Sequence, residues 1–375
     1  MTEAEQPIDA LRLLHPLIES HVPFGERERR LHPEVAAAFA HERLYRLWIP
    51  RTFGGLEMSV PEAARVFEAA AKIDGSAGWA VTIGVGGGLF AATLPPETAR
   101  AVFERPDALI AGSGSASGTA LRKIGDTYRA SGQWAFASGI HYATTVTANC
   151  LVSGEDGQPV RNDAGHPVIR AMAFEPAQVE ILDTWDTLGM RGSGSHDFRV
   201  IGATVPAART FSVFAGPHET GPLYRYPFGS IAAVSFAAVA LGIARNMLEE
   251  FAEFAAEKRP YGREGVLVDT PTARLRMAEA EATLASAREW FFREVQASWD
   301  AVTSGETLGS DGESRVSLAS IHAAKSAVHA CNTLFEIGGM APLFMASTLG
   351  RCWRDVHTVS HHGVLSPLNL ERPRN

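Results

Sequence analysis

Two adjacent histidines, His361 and His362, close the segment "GRCWRDVHTVSHHGV", residues 350–364. Imidazole titrates near neutral pH, so either ring can take up a proton or hold a reacting oxygen by hydrogen bonding. Neighbouring positions on a helix point about 100° apart. The pair therefore does not make the i, i+4 chelate that grips a metal, and no HExxH or carboxylate cluster accompanies it. No metal is expected, and a purely structural role for each ring stays open. Ser138, in "GQWAFASGIHYA", ends a strand pattern and is followed by Gly139. The hydroxyl can hydrogen-bond to a flat ring while the glycine lets the backbone approach it. An ordinary strand-to-turn serine would read the same way. Arg259, in "EKRPYG", has the planar fork suited to a phosphate, or is a solvated arginine at a helix end. The run "AGSGSASGT", residues 111–119, brings Ser113 and Ser115 and many backbone N–H groups, as an anion-binding loop or a flexible linker would.

Residues 5 to about 104 must carry the first helices. "HPEVAAAFAHERLYRL" and "SVPEAARVFEAAAKI" repeat apolar residues at helical spacing, with Pro33 and Pro61 near the first turn, where a missing N–H costs little. "IPRTFGG" separates them as a turn. A third apolar segment, "SAGWAVTIGVGGGLFAATL", has Gly84 and Gly86 to Gly88, the mark of close helix packing or of backbone approach to a ligand. From residue 108 the texture changes to short β-branched and aromatic runs such as "TTVTANCLVSG", "VIRAMAFEP" and "FRVIGATVP", bounded by turn residues. From 228 long helical patterns return, and one of them carries a stripe of Leu275, Ala278, Ala282 and Ala285 suited to close helix packing. The expected class is α+β. It comprises an N-terminal α-helical domain over 1–107, a central antiparallel β-domain over 108–215 and a C-terminal four-helix bundle over 216–375.

With 46% hydrophobic residues, the 375-residue chain can bury a large core. A net charge of −8 and a pI near 5.9 exclude a nucleic-acid footprint, which needs clustered Lys and Arg. Cys150, Cys331 and Cys352 have no CxxC spacing, so neither disulfides nor a zinc ribbon are expected and a reducing compartment is. The N-terminus lacks the basic start of a signal peptide, and no run of about 18 uninterrupted apolar residues occurs. A cytoplasmic protein without a membrane partner is the expectation.

The order of "WIPRTFGGLEMS", "GQWAFASGIHYA", "WDTLGMRGSGSHDFRVIGATVP", "EKRPYG", "EIGGM" and "RCWRDV" along nearly the whole chain resembles the acyl-CoA dehydrogenase superfamily. The resemblance implies a flavin between the β-domain and the bundle. Trp134, Ser138 and Gly139 would contact it, with Ser113 and Ser115 at its polar rim or phosphate. Arg259 would reach the flavin pyrophosphate across a subunit interface, and Gly338 and Gly339 would admit a neighbour's cofactor, although a helix C-cap also uses glycine. Such shared sites imply a homotetramer. "GMRGSGSHD", residues 189–197, lacks the strand-to-helix context of a phosphate loop and reads as a turn near the adenosine or substrate entrance.

Dehydrogenases of this superfamily need a carboxylate to remove an α-proton, and many carry it in a "YEGT"-like stretch soon after the "RD" pair. Here that window reads "TVSHHGVLSP"; the middle of the first bundle helix, "AAVSFAAVALGIA", has no acid either, and Glu249 and Glu250 come late on it. A histidine about eight residues after the arginine of "WRD" resembles instead the flavin-dependent monooxygenase branch: the oxygenases of hydroxyphenylacetate, steroid-phenol and dibenzothiophene. This implies an oxygenase component that receives reduced FAD or FMN from a separate NAD(P)H-dependent flavin reductase. With O2, through a C4a-hydroperoxide, it would hydroxylate a small phenolic or indolic substrate. His362 and Ser138 would be catalytic, with His141 and His361 lining the substrate pocket. The alternatives are an acyl-CoA dehydrogenase-like oxidoreductase with a displaced base, and a non-catalytic flavin-binding scaffold.

Overall fold

The computed structural model describes residues 5–123, 125–212 and 216–370, so the 215/216 boundary expected above touches residues outside the described ones. Five helices come first: α1 (Glu5–Glu28), α2 (Pro33–His41), α3 (Val60–Ile73), α4 (Gly75–Gly88) and α5 (Pro96–Phe103). Pro33 and Pro61 stand in first turns, and the side chains of His32 and Ser59 cap these helices by accepting the N–H of Glu34 and Glu62. The glycines of α4 divide by neighbour. A Cβ at Gly84 would lie 2.5 Å from the Tyr45 ring and one at Gly87 2.7 Å from Ile110, whereas one at Gly86 would meet nothing within 4 Å. Packing explains the first two, and Gly86 opens onto the site described below.

The sheet comprises β1 (Ile110–Lys123), β2 (Thr127–Trp134), β3 (Thr145–Ser153), β4 (Ile169–Phe174), β5 (Glu180–Leu182), β6 (Asp197–Pro206) and β7 (Thr210–Phe211), in the order β5-β6-β2-β1-β3-β4-β7. It departs from the antiparallel expectation at one pairing, since β3 runs parallel to β1. After the β1–β2 hairpin the chain crosses to the far edge of β1, and a strand added there from the same end must be parallel. The crossing segment, 135–144, carries Ser138. The run "AGSGSASGT" is not a loop but the bulged middle of β1, whose register against β3 shifts between Ser113 and Gly118. Its residues are small because the neighbours press close. A Cβ at Gly112 would sit 2.1 Å from the Thr147 carbonyl oxygen, and one at Gly118 2.0 Å from the Trp134 ring.

After the short α6 (Pro222–Arg225) come the four bundle helices, α7 (Phe228–Glu257), α8 (Pro271–Thr303), α9 (Ser310–Ile337) and α10 (Thr348–Ser360). α3 lies against α7, where a Cβ on Gly242 would be 2.3 Å from the Glu68 carbonyl oxygen. The buried Glu68 carboxylate accepts two hydrogen bonds from Arg288 of α8, at 2.6 and 2.8 Å, so the N-terminal helices and the bundle share one core. Helix α8 turns opposite to expectation. Ala273, Ala280, Leu284, Ala287 and Phe291 face inward, while Leu275 is 69% exposed and Ala278, Ala282 and Ala285 lie on the surface. The large Phe291 and Leu284 bury more apolar area than three alanines, and that difference sets the inward face. Gly75–Ala92 and α7 are apolar and long enough to cross a bilayer by composition, yet 78% of each window is buried inside the fold.

Candidate active site

Sheet and helices meet around a cleft of about 780 Å³. One wall is β1 from Gly112 to Ala116 with Thr147 to Asn149 of β3; the other is Thr82, Ile83, Gly86 and Gly87 of α4 with Ser235 and Phe236 of α7. Among the described residues the lining contains no Asp, Glu, Lys or Arg. The walls suit a flat aromatic heterocycle, with isolated polar atoms to orient it.

Ser138 lines this cleft within a chain of side-chain hydrogen bonds. The Trp79 indole N–H donates to Ser138 Oγ at 2.9 Å, Ser138 Oγ lies 2.7 Å from Ser195 Oγ, and Ser195 Oγ lies 2.8 Å from Ser193 Oγ. Gly139 stands behind it at φ +73°, the left-handed conformation that opens the next turn, so its glycine answers a backbone need and is not part of the cleft wall.

His361 and His362 do not share a helix, as their spacing suggested. Helix α10 ends at Ser360; His361 is its C-cap, and His362 is already extended at φ −60°, ψ 134°. The His361 ring is exposed, its Nδ1–H donating to the His357 carbonyl at 2.7 Å. The His362 ring packs 4.3 Å from Phe236 and 5.8 Å from Trp79, centre to centre. Its Nδ1 accepts the Val364 N–H at 3.2 Å. Nδ1 is therefore bare and the hydrogen sits on Nε2. Burial pushes the His362 pKa down, so the ring stays neutral. It is set as a hydrogen-bond donor to an oxygen in the cleft rather than as a ready base. Both histidines line the cleft.

Several expected contacts lie elsewhere. Trp134 is enclosed in the sheet core, stacked on Phe198 at 5.2 Å with its N–H on the Asn149 carbonyl, because it fills the space left by Gly118 and Gly132. His141 faces a separate small cavity behind Ser138. Ser113 and Ser115 do line the cleft, from the bulge of β1. Arg259 is exposed on the loop after α7, with no ion-pair partner among the described residues. Gly338 caps α9, where a Cβ would meet the Pro342 ring at 2.4 Å, and Gly339 has φ +67°. Both serve the helix end within this chain. The turn 189–197 does reach the site, since Met190, Ser193 and Ser195 line the cleft. Trp79, Phe236, Trp185 and Phe136 were not foreseen as site residues. Phe136 is 69% exposed at φ +66°, a conformation that no local pattern announces.

A flavin-sized apolar cleft between such a sheet and such a bundle defines an acyl-CoA dehydrogenase-like protein whose cleft lining, among the described residues, holds no carboxylate. Comparison with known proteins agrees. Residues 234–367 match the family model "Acyl-CoA dehydrogenase, C-terminal domain". The chain is 31% identical over 347 residues to an indole-3-acetate monooxygenase of Pseudomonas putida, covering 92% of this chain and 87% of that one. It is 28% identical over 372 residues to the oxygenase component of an FADH2-dependent resorcinol hydroxylase of a Rhizobium species, covering 92% and 87%. Among solved structures, XiaF from a Streptomyces species, in complex with FADH2 and glycerol, superposes with a TM-score of 0.88 at 25% identity, covering 97% and 92%. The chain belongs to the flavin-dependent monooxygenases of the acyl-CoA dehydrogenase fold, oxidoreductases that work with reduced flavin.

Proposed function

We propose that this protein is the oxygenase component of a two-component system, that a separate flavin reductase supplies its reduced FAD or FMN, and that its substrate is an uncharged indole or phenol. The observation that carries the reading is the cleft in which Ser138 and the neutral His362 both neighbour Trp79, with no carboxylate in the lining among the described residues. Thioester oxidation in this superfamily uses a carboxylate to take an α-proton, and among the described residues this lining offers no carboxylate. When bound, reduced flavin would supply the two electrons that take one atom of O2 to water, while the other atom is inserted into a C–H bond of the aromatic ring. The chain's own part is to hold and shield. Trp79 and Phe236 stack against flat rings and exclude water, Ser138 fixes a flavin edge, and His362 Nε2–H holds an oxygen at the substrate.

The charge of the substrate follows from the same lining. A relative is named for indole-3-acetate. In this cleft a buried carboxylate would meet no Lys or Arg among the described residues, and burying an unpaired charge is costly. Among the described residues, one chain's lining likewise offers no Lys or Arg to the phosphate of the flavin. This favours a homotetramer in which Arg259 of a second copy supplies the charge, and exposed Met340, Leu343, Phe344 and Met345 beside Gly339 offer an apolar surface for that contact.

The test supplies photoreduced FAD or FMN and then O2 to the protein with indole, 3-methylindole, resorcinol or indole-3-acetate, and quantifies hydroxylated product and hydrogen peroxide. Product from a neutral ring, at a kcat/KM at least about tenfold above that for the acid, supports the reading. Preference for the acid removes the charge argument. Anaerobic bleaching of bound oxidised flavin by an acyl-CoA, without any hydroxylation, overturns the function.

A further inference from the structure

Ser138 and Ser193 line not only the cleft but also a second cavity, of about 10 Å³, whose other walls include His141, Tyr142, Arg30 and Tyr45. That is the space one water needs. His141 Nδ1 is buried beside it and has no hydrogen-bond partner in the protein. A buried ring nitrogen left unpaired is costly, and a water with two to four polar neighbours is the usual remedy.

The serine chain makes this cavity matter to the cleft. Ser138 Oγ accepts from Trp79, so one of its lone pairs is taken. Its contact with Ser195 can run in either direction, and so can the contact between Ser195 and Ser193. If Ser138 donates outward, its remaining lone pair faces the cleft and accepts. If Ser195 donates inward, the Ser138 hydrogen is free and the cleft meets a donor. The direction is decided where the chain ends. With Nδ1 bare, His141 drains the chain as an acceptor; with hydrogen on Nδ1, it feeds the chain as a donor.

His141 is free to do both. Burial, with His196 and Arg30 nearby and Asp183 opposing them, holds its pKa down at about 4, so the ring is neutral and has two tautomers. Its neighbour His196, edge-on at 5.2 Å, has no such freedom. His196 Nδ1 accepts the N–H groups of Thr184 and Trp185, both at 3.2 Å, and its Nε2–H donates to the Arg29 carbonyl at 3.2 Å.

We propose that His141, acting through one buried water and the Ser193–Ser195–Ser138 chain, sets whether Ser138 presents a donor or an acceptor to the flavin. His141 is a positioning residue that never touches the flavin. The inference rests on the proposed function, because the cleft must hold a flavin. A flavin ring nitrogen that bears hydrogen in the reduced state and none in the oxidised state needs an acceptor first and a donor second. A chain that can reverse meets both needs without a change of rotamer or backbone.

The test is anaerobic equilibrium titration of the full-length protein with FAD and FMN, each oxidised and photoreduced, to obtain the ratio of the two dissociation constants. His141→Phe ends the chain in an apolar ring, and Ser195→Ala cuts it in the middle. Each is expected to change the ratio about fivefold or more, the size of one neutral hydrogen bond. His141→Asn, which keeps a donor and an acceptor, is expected to restore the ratio to within about twofold. A folded His141→Phe and a folded Ser195→Ala that both keep the unmodified ratio overturn the inference and leave the proposed function standing. Failure of the unmodified protein to bind reduced flavin overturns both.

Discussion

Asp355 accepts the main-chain N–H of Met190 at 2.5 Å, and this bond ties α10, the helix ahead of the two histidines, to the turn that carries Ser193 and Ser195. The contact is tight on both sides. A Cβ on Gly189 would lie 2.3 Å from the Arg354 backbone, and Met190 holds φ +55°, its carbonyl accepting the Trp185 indole N–H at 3.0 Å. One buried carboxyl group thus aligns the two halves of the site.

Burial, reinforced by Asp74, pushes the Asp355 pKa well above the usual carboxylate range. A carboxyl whose folded pKa is raised gives stability that is complete below its unfolded pKa and is lost as pH rises through the folded value. The melting temperature of the unmodified protein is therefore expected to fall as pH rises from the ordinary value of 3.8 to about 8, and to level off above it. Asp355→Asn keeps an acceptor for Met190 without the charge, so its melting temperature should be flatter with pH. Asp355→Ala strands the Met190 N–H and should cost about 1–3 kcal/mol at any pH. Thermal melts of the three proteins across that range decide it, and parallel curves for Asp and Asn would remove the buried charge from the account.

Trp79→Phe keeps a ring against Phe236, 4.7 Å away, but withdraws the donor from Ser138. Stability should change little while flavin affinity falls about fivefold, the worth of one hydrogen bond. Anaerobic titration measures this, and an unchanged affinity would mean that Trp79 serves only to pack.

The elements themselves were largely legible, because periodicity and capping act within a few residues: Pro33, Pro61 and the strand runs fall where their patterns put them. Ser138 and His362, expected from their place in an order of motifs, both line the cleft. What failed was anything decided by a distant neighbour. Gly112 and Gly118 read as a flexible loop because Thr147 and Trp134, which demand small residues, are remote in sequence. Trp134 looked like a ring contact for the same reason, seen from the other side. The Leu275 stripe has helical spacing, but only the competing burial of Leu284 and Phe291 sets which face turns inward. Trp79 carried no signal, since its indole N–H meets a serine 59 residues away.

Arg259→Ala tests the shared site. The side chain is exposed and unpaired among the described residues, so its removal should leave the melting temperature of the fold unchanged. If a second copy uses it to hold flavin phosphate, affinity for FAD should weaken by about 1–3 kcal/mol, the worth of a hydrogen bond to a charged group. Light scattering should show a tetramer in both proteins. Unchanged affinity, or an active monomer, would return Arg259 to a solvated surface role.

The two histidines should separate cleanly. His362 is half-buried against Phe236 and Trp79, with Nδ1 engaged by Val364 and Nε2–H free for the cleft, whereas His361, an exposed part of the lining, spends its Nδ1–H on the His357 carbonyl. His362→Ala should still bind reduced flavin, since no flavin phosphate contact depends on it, but hydroxylation should fall by about 10²- to 10⁴-fold while hydrogen peroxide rises. His362→Gln, which retains an N–H near the Nε2 position, should keep part of the coupling, and His361→Ala should keep nearly all of it. The pH profile carries the same assignment. The His362 pKa is lowered by burial, so its neutral, Nε2–H form persists above the ordinary histidine range and through it. Coupling should therefore hold steady from alkaline pH down past 6.5, the ordinary value, and decline only as pH falls through the depressed one, where Nδ1 takes a proton and releases Val364. Product and peroxide yields against pH for the four proteins check this directly. A decline centred at or above the ordinary histidine range, or a larger loss in His361→Ala, would assign the oxygen-holding role to the exposed ring instead.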